Sequence, residues 1–458
     1  MCMVDTEKQT WRLIVLHSDA PRLLVFGDGK HSFLPSVEIP RGGRVTAKLN
    51  AQLKAAWNLD TFCLHPLRSE DSRDSLSVPG CYVAETVSRD GTAPETARWL
   101  PITAFADQSF VQDDEAAIRR YLNQTGNTTL SGSGSPVGLA GSFTRVRAWV
   151  EEMLGSSDTK LLDKFLQINA SRGFSLVRFE TNHGGVWFKA VGEPNLREFS
   201  ITTKLAAWFP DCIPQILAVE PRWSGWLSAE APGEPLWDIS EATAWERAAT
   251  AFAALQIASV PHISDLVASG SRRVGFRQLL LQVDPFCAEA ERIAAELQTL
   301  PGERTDGLGS ELRDTLRSLE DLGFPETLVH LDFNPGNIIL SSQRCMFLDW
   351  AEAAVGHPFL SFEYFRQYAR RAFLKDSVVD ENITKAYAVP WRQLLSPDKV
   401  REAFSLVRVV AVFAYAVSLL PWVRQSGPSD FVAGKYMASL IRRLKRELSS
   451  RQSFHSSS

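Results

Sequence analysis

The sequence is poor in cysteine and has no closely spaced cysteine pair. Its 458 residues include six cysteines, and no two of them form a Cys-x-x-Cys motif. Densely paired cysteines mark disulfide scaffolds, and close pairs mark zinc sites. The six are Cys2, Cys63, Cys81, Cys212, Cys287 and Cys345. We therefore expect free thiols and a cytoplasmic location, because thiols stay reduced there.

The sequence also lacks an excess of positive charge. Its 49 Lys and Arg residues are outnumbered by 53 Asp and Glu residues, which gives a formal net charge of -4. Nucleic acids and anionic membranes bind proteins through dense basic surfaces. We therefore expect neither of them as a partner.

Long apolar runs are scarce. None is present near the N-terminus, so no signal peptide is expected. The segment 404–422 is apolar and long enough to span a bilayer, but Arg408 lies inside it and Pro421 near its end. Because an arginine is costly in lipid, we predict a buried helix of a soluble domain here.

The length of the chain predicts two or three domains, because one hydrophobic core does not ordinarily grow to this size. Between residues 123 and 141 the composition shifts to Gly, Ser and Thr, which is typical of a flexible linker. A small α/β domain is therefore predicted over residues 1–122. Residues 142–230 are expected to form a small β-rich lobe, and residues 231–458 a large helical lobe.

The first domain alternates apolar strands and an amphipathic helix. Strands are predicted at 11–17, 22–26 and 81–85, helices at 45–59 and 115–122, and a turn at 98–101. This order, with a Gly-Gly loop before the helix, resembles a Nudix hydrolase domain. That family binds Mg²⁺ through paired glutamates on the helix, but the matching positions here are Ala55 and Ala56. The resemblance implies a catalytically silent domain with a regulatory, sensing or dimerising role; a small α+β domain of unrelated ancestry is the alternative.

The segment 328–350 concentrates polar residues that can carry chemistry. His330, Asp332 and Asn337 form a His-x-Asp-x-x-x-x-Asn run, which two short apolar stretches and Asp349 follow. The apolar stretches predict two short strands joined by a hairpin turn at 341–344. Such a hairpin would bring Asn337 and Asp349 together at the strand ends, with Asp332 on the preceding loop.

This arrangement is suited to phosphoryl transfer. Two carboxylates and an amide oxygen can hold Mg²⁺ and orient a hydroxyl. The Asp-x-x-x-x-Asn spacing is that of the kinase catalytic loop, in which Asp accepts the hydroxyl proton and Asn binds a metal ion. We predict Asp332 as the catalytic residue, Asn337 and Asp349 as Mg²⁺ ligands, and His330 as a supporting residue. The alternative is a core hairpin in which His330 and Asp332 only cap a turn.

The segment also resembles the aminoglycoside phosphotransferase and choline kinase superfamily. Pro335-Gly336-Asn337 and Leu348-Asp349-Trp350 match its loop and following strand. The resemblance covers residues from about 142 onward and implies a two-lobed, protein-kinase-like fold of the α+β class. It implies an enzyme that uses ATP and Mg²⁺ to phosphorylate a hydroxyl of a small molecule, such as an aminoglycoside, a sugar or an amino alcohol. His357 and Ser361 depart from the family, which commonly has aspartates at these positions.

Lys189 is the candidate phosphate-binding cation. It lies in a predicted strand at 186–191, in the place of the kinase lysine that contacts the α- and β-phosphates. Glu198 follows in the first turn of a helix predicted at 196–208, where it would hold the lysine through an ion pair. A solvated surface lysine is the alternative, and Glu193 is a competing partner.

The loop expected to cover the phosphates is incomplete. The segment 170–175 holds one glycine and no G-x-G-x-x-G motif. Ser171, Gly173 and Ser175 are predicted to cradle a phosphate together with backbone N–H groups. This incomplete loop supports a second hypothesis, a pseudokinase-like module that binds nucleotide without catalysis and regulates the first domain. The acceptor and the oligomeric state are left open by the sequence.

Overall fold

A computed structural model describes residues 7–27, 31–67, 80–87, 93–126, 136–155, 158–171, 174–297, 307–426 and 431–455. The chain forms two compact units. Unit 1 comprises residues 1–199 and 215–230, and unit 2 comprises residues 200–214 and 231–458. Both units contain helices and strands, which confirms the predicted α+β class. The predicted first domain and small lobe both fall in unit 1, and the domain boundaries stay a prediction.

The first sheet of unit 1 is covered on both faces. The sheet contains strands β1 (Lys8–Leu16), β2 (Arg22–Phe26), β3 (Ser36–Pro40), β4 (Thr61–Leu67), β5 (Cys81–Thr86) and β6 (Ala97–Pro101). Their order across the sheet is β4-β5-β1-β2-β6, and β3 pairs with β1. Leu13 and Val15 of β1 share an apolar cluster with helix α1 (Val45–Trp57). Ile14 and Leu16 belong to a different cluster. Because both faces are buried, β1 carries a continuous apolar run instead of an alternating one.

The predicted turn at 98–101 is wrong. These residues lie in β6, which pairs antiparallel with β2, and Leu100 stands opposite Leu23. Both leucines are buried. Pro101 ends the strand, where its missing N–H removes no inner hydrogen bond from the sheet.

The second sheet of unit 1 is antiparallel and shares a core with the first. Helices α2 (Gln112–Gly126) and α3 (Ser142–Leu154) precede strands β7 (Leu161–Ser171), β8 (Phe174–Thr181), β9 (Gly184–Val191), β10 (Ile216–Glu220) and β11 (Gly225–Ala229) in the order β10-β11-β9-β8-β7. Phe62 of β4 lies 5.4 Å from Phe143 of α3 and 6.1 Å from Phe165 of β7, measured between ring centroids. The two sheets and α3 therefore form one continuous apolar core.

The described ends of the predicted linker are structured. Helix α2 extends to Gly126, and Pro136–Gly138 forms a 3-10 turn. Val137 is buried in the shared core. Residues 127–135 of the predicted linker lie outside the described residues.

A buried carboxylate joins the first sheet to α3. Glu85 of β5 accepts hydrogen bonds from the backbone N–H groups of Gly141, at 2.5 Å, and Phe143, at 2.7 Å. Gly141 is the N-cap residue of α3 and Phe143 lies in its first turn, where backbone donors have no partner within the helix. Burial raises the pKa of Glu85 from its ordinary value of 4.5 to about 7, although both hydrogen bonds and Arg145 act in the opposite direction.

Glu85 predicts a pH dependence of stability. Since its folded pKa lies above its unfolded pKa, the folded state binds more protons between pH 4.5 and 7, and stability falls as the pH rises through this window. The loss is expected to reach roughly 3 kcal/mol for a shift of this size. Denaturant titrations of the wild type and Glu85→Gln at pH 5 and pH 8 measure it. The wild type should lose more unfolding free energy between the two pH values than the variant; equal losses would contradict the prediction.

Unit 2 is mainly helical. Helix α4 (Arg197–Trp208) runs into it from unit 1, and α5 (Ala242–Ser259), α6 (Ile263–Ala268), α7 (Phe276–Leu297), α8 (Leu308–Asp321), α9 (Phe359–Ala372), α10 (Ser377–Trp391), α11 (Pro397–Ser426) and α12 (Phe431–His455) follow. Two small sheets hold β12 (Glu234–Pro235), β13 (Arg272–Val274), β14 (Thr327–His330), β15 (Ile338–Leu340), β16 (Cys345–Phe347) and β17 (Ala353–Gly356). Their strand orders are β12-β15-β16 and β13-β17-β14.

The apolar segment 404–422, which was predicted to form a buried helix, lies in α11. Val407, Val409 and Val410 are buried in the core of unit 2. Burial lowers the pKa of Arg408. On α9, the positive charge of Arg366 lowers this pKa further, and the negative charge of Glu363 raises it. By length and composition alone, Ala242–Ala268 and Pro397–Leu420 are apolar enough to cross a membrane. The core helix of a soluble protein passes the same test, so this is weak evidence for a span.

Candidate active site

The polar segment predicted to carry chemistry folds as a hairpin in unit 2. Strands β15 and β16 pair antiparallel, with Ile338 opposite Phe347. Beyond the last pair, the N–H of Leu348 donates to the carbonyl of Asn337 at 2.8 Å. Asn337 and Asp349 therefore lie at the same end of the hairpin, because Asn337 accepts this hydrogen bond and Asp349 directly follows its donor, Leu348.

Asp332 lies on the loop before the hairpin, exposed and held by two amides. Its carboxylate accepts hydrogen bonds from Nδ2 of Asn334 at 3.1 Å and from Nδ2 of Asn337 at 3.3 Å. Nδ2 of Asn337 also donates to the Asp332 carbonyl at 3.0 Å. Since the amide nitrogen of Asn337 faces Asp332, its Oδ1 is directed away from that carboxylate. This oxygen is the atom of Asn337 that suits a cation.

His330 is fully buried at the end of β14. Its backbone N–H donates to Oγ of Ser361 at 2.8 Å, and its Nε2 lies 2.9 Å from the carbonyl of Leu348. A carbonyl only accepts, so Nε2 carries the proton. His330 thus ties the strand before Asp332 to the residue before Asp349, which is a supporting position.

Two contributors to this loop were missed from the sequence. The sequence showed Ser361 only as a departure from an aspartate, but its buried hydroxyl accepts the N–H of His330. Asn334 accepts the N–H of Gly336 at 2.9 Å and so caps the 3-10 turn Pro335–Asn337. The Asn-Pro pair was a usable signal for this cap. Nothing in the sequence signalled the role of Ser361, which depends on α9 meeting β14.

His357 does not replace a carboxylate either. Its Nδ1 accepts the N–H of Phe359 at 3.2 Å at the start of α9. Burial lowers the pKa of His357 to about 3, so the ring is neutral near pH 7. His357 therefore supports the helix start without supplying charge.

Asp349 sits in the left-handed region of backbone conformation, with φ 61° and ψ 73°. Most side chains are strained there, and Asp and Asn tolerate it best. This conformation turns the chain from β16 into the 3-10 turn Trp350–Glu352, and the Asp349 side chain is exposed. The fold thus places a carboxylate at a sharp turn beside Asn337.

The donor set fits a Mg²⁺ ion that is shared with a ligand. Among the described residues, no group of three or more His, Cys, Asp or Glu side chains is arranged to hold a metal ion. Asn337 and Asp349 together offer an amide oxygen and a carboxylate. Mg²⁺ is commonly held by one or two carboxylates, with substrate phosphates and water completing the octahedron. The residues present are therefore suited to Mg²⁺ that arrives with phosphates.

Lys189 and Glu198 form a buried ion pair in unit 1. Lys189 lies on β9, between β8 and β11, and Glu198 lies in the first turn of α4. The relative exposure of their side chains is 9% and 1%. The Lys189 ammonium also lies 5.0 Å from the ring centroid of Phe174 and 5.8 Å from that of Trp226. A partner carboxylate and two aromatic faces thus hold the ammonium in place.

Removing one partner of this ion pair is expected to destabilise the protein. Glu198→Ala leaves the Lys189 charge buried, which should lower the free energy of unfolding by roughly 3–5 kcal/mol. The double variant Lys189→Met with Glu198→Leu removes both charges and should recover most of that loss. Denaturant titrations of the three proteins measure the effect. A Glu198→Ala protein as stable as the wild type would contradict the burial of the pair.

The predicted phosphate cradle is described only in part. Ser171 ends β7, and Gly173 lies outside the described residues. Ser175 is buried in β8, opposite Ala190, and among the described residues its hydroxyl has no hydrogen-bond partner. Because this hydroxyl is enclosed by protein, burial argues against Ser175 as a phosphate ligand. Ser171 and the backbone of the turn stay a prediction.

The chain is similar to known phosphotransferases. The sequence model of the phosphotransferase enzyme family matches residues 198–370. No curated protein matches the chain significantly. Among solved structures, a macrolide 2'-phosphotransferase from Brachybacterium faecium is 16% identical with a TM-score of 0.45, over 64% of this chain and 96% of that one. A choline kinase from Streptococcus pneumoniae is 13% identical with a TM-score of 0.43, over 67% and 99%. The ethanolamine kinase of Plasmodium vivax is 13% identical with a TM-score of 0.41, over 63% and 84%.

The family match confirms the resemblance predicted from the segment 328–350. It includes Glu198, Asp332, Asn337 and Asp349, whereas Lys189 precedes it. The predicted enzyme class, a phosphotransferase with an alcohol group as acceptor, is confirmed with it. The structural similarities say nothing about the substrate, because every identity is below 25% and every TM-score is below 0.5. The Nudix resemblance of residues 1–122 stays a prediction, because it lies outside the matched segment.

Proposed function

Proceeding from the match of residues 198–370 to the phosphotransferase enzyme family, we propose that this protein transfers the γ-phosphate of ATP to a hydroxyl of a small molecule. The observation that carries the proposal is the hairpin that gathers Asp332, Asn337 and Asp349 in unit 2. Bound Mg-ATP would supply the phosphoryl group and neutralise its charge.

Asp332 has the position and the solvent exposure that a catalytic base requires. It is exposed, so an acceptor hydroxyl can reach it, and the amides of Asn334 and Asn337 fix its orientation. In this role it hydrogen-bonds the acceptor hydroxyl and takes its proton as the oxygen attacks phosphorus. Fixing a base before the reaction lowers the entropic part of the barrier.

Asn337 and Asp349 are proposed as Mg²⁺ ligands. Oδ1 of Asn337 and the Asp349 carboxylate stand at the same hairpin end, as phosphate-borne Mg²⁺ requires. Lys189, fixed by Glu198, is proposed to contact the α- and β-phosphates. His330 and Ser361 are positioning residues, because they hold the backbone on which Asp332 and Asp349 are mounted.

The proposal is tested by incubating the full chain with Mg-ATP and a panel of hydroxyl compounds, namely sugars, glycosides, aminoglycosides and amino alcohols. We expect ADP release that depends on one class of acceptor. A nucleotide-dependent thermal shift without ADP release on any acceptor would contradict the proposal and favour the pseudokinase-like regulatory module. We further propose a cytoplasmic location, since reduced thiols suit that compartment.

A further inference from the structure

An aromatic surface lies beside the Asp332 loop in unit 2. The 3-10 turn Leu236–Asp238 packs against the 3-10 turn Pro335–Asn337 and carries Trp237, whose exposed fraction is 59%. On the other side, Phe333 lies 5.3 Å from Phe365 of α9. Tyr368 follows Phe365 by one helical turn, and its ring lies 6.1 Å from that of Trp237. Two independent contacts thus place Trp237 and Tyr368 next to Asp332.

Two further tyrosines lie next to this surface, because the ring of Tyr415 is 6.0 Å from that of Tyr364, one helical turn before Tyr368 on α9. The hydroxyls of Tyr415 on α11 and Tyr436 on α12 lie 3.1 Å apart. Burial raises the pKa of Tyr415 to about 12, together with Tyr436, Tyr368 and the negative charge of Asp332. Burial and Asp332 also raise the pKa of Tyr368. The hydroxyls of Tyr368 and Tyr415 are therefore protonated near pH 7 and can donate and accept hydrogen bonds. We call Trp237, Tyr368, Tyr415 and Tyr436 the aromatic patch.

The charges at the patch restrict what it can bind. Of the charged groups that act on Tyr368, Asp332 is the carboxylate and Arg371 is the cation. The Arg371 guanidinium lies 5.7 Å from the Tyr368 ring centroid and already occupies that aromatic face. A ligand charge of either sign would be attracted by one of these two groups and repelled by the other, so neither sign is strongly favoured next to Tyr368. Beside Tyr368 the charges of Asp332 and Arg371 therefore offset each other, which suits a ligand without net charge.

The side chains of the patch suit a ring with an apolar face and hydroxyl edges. Trp237 and Tyr436 are exposed and Tyr368 and Tyr415 are half-buried, and exposed apolar side chains gathered on one surface are a mark of a binding site. Trp and Tyr combine a flat apolar face with a polar group that makes hydrogen bonds. The exposed Trp237 ring can stack on the C–H face of a sugar ring, while the hydroxyl pair of Tyr415 and Tyr436 can bond to its hydroxyl groups.

We propose that the aromatic patch is the acceptor subsite, and that it takes an uncharged cyclic polyol, such as a sugar or a glycoside. This inference rests on the proposed function, because Asp332 receives the proton of the acceptor. The sugar ring stacks on the exposed ring of Trp237, beside Tyr368, and one of its hydroxyls reaches Asp332. The Tyr415 and Tyr436 pair sets which face of the ring is presented.

The first test compares acceptor classes on the full chain with Mg-ATP. Neutral hexoses and glycosides are set against polycationic aminoglycosides and quaternary ammonium alcohols, and kcat/KM is measured from ADP release. The neutral class is expected to exceed both others by at least about tenfold. A preference for either cationic class would overturn the inference and leave the proposed function standing.

The second test uses variants of the patch. Trp237→Ala should raise the KM of the neutral acceptor about tenfold through lost stacking, and Tyr436→Phe should raise it several-fold through a lost hydrogen bond. Leu281→Ala is the matched control, because Leu281 is a similarly exposed apolar residue on α7, and it should change neither KM nor kcat. Wild-type KM values in both patch variants would overturn the inference.

If no acceptor is phosphorylated, calorimetric titration with the neutral compounds tests the acceptor subsite separately from the proposed function. Binding that weakens in Trp237→Ala supports the subsite even if the proposed function has failed. If the wild type neither binds nor phosphorylates any of the compounds, both the acceptor subsite and the proposed function are contradicted.

Discussion

Replacing Asp332 by alanine is expected to lower kcat by a factor of about 10²–10⁴ and to leave the affinity for Mg-ATP near the wild-type value. The loss follows from removing the group that accepts the proton of the acceptor hydroxyl. ATP affinity is spared because the proposed phosphate contacts come from Lys189, Asn337 and Asp349. ADP release at saturating acceptor measures kcat, and calorimetry measures the affinity for nucleotide.

Asp398→Ala is the matched control for this variant. Asp398 is also an exposed carboxylate of unit 2, and its ion pair with Arg401 lies at the surface. Exposed pairs of this kind contribute little to stability, so kcat should be unchanged in the control. An Asp332→Ala protein with kcat within about twofold of the wild type would remove Asp332 from the catalytic role.

Replacing Asp349 by alanine is expected to abolish Mg²⁺-dependent nucleotide binding. Asp349 is the carboxylate of the proposed pair of Mg²⁺ ligands, and the Asn337 amide alone offers no negative charge to a hard cation. Calorimetric titration with ATP in Mg²⁺ and in EDTA separates the metal-dependent part of the affinity. In the wild type the two titrations should differ strongly, and in Asp349→Ala they should coincide.

Asp314→Ala is the control for the metal site. Asp314 pairs only weakly with Arg317 at the surface of α8, at 3.8 Å. The control should keep the wild-type difference between Mg²⁺ and EDTA. An Asp349→Ala protein that also keeps this difference would show that the carboxylate is not a metal ligand.

The hairpin of the candidate site was predictable because its signals are local. Apolar triplets around a polar turn are typical of paired strands, and the spacing of Asp332 and Asn337 is set within one loop. The apolar flanks of Lys189 and the helix after it predicted the pairing with Glu198 in the same way. Sequence patterns predict contacts between residues that are close in sequence better than contacts between distant residues.

Other features depend on contacts between distant elements. The hydroxyl of Ser361 meets His330 only because α9 packs on β14, which no spacing shows. The turn predicted at 98–101 became β6 because β2 was available to pair with it. Pairing with a neighbouring strand overrides the turn propensity of a single proline at a strand end.

The linker illustrates the limit of composition. A run of Gly, Ser and Thr indicates low intrinsic order, but it does not show whether the flanking residues pack. Val137 and Phe143 are buried in the core that the two sheets of unit 1 share. Glu85, 56 residues away from Gly141, caps the start of α3 from the first sheet. These contacts tie the first domain to the strands that carry Lys189.

Mass spectrometry of the reaction mixture tests the central claim most directly. With the wild type, Mg-ATP and the panel of hydroxyl compounds, one acceptor should gain the mass of a single phosphoryl group for every ADP formed. Asp332→Ala should nearly abolish that product while it still binds nucleotide. ATP that is bound but never consumed, or ADP that accumulates with free phosphate and no phosphorylated acceptor, would contradict phosphoryl transfer to a small molecule.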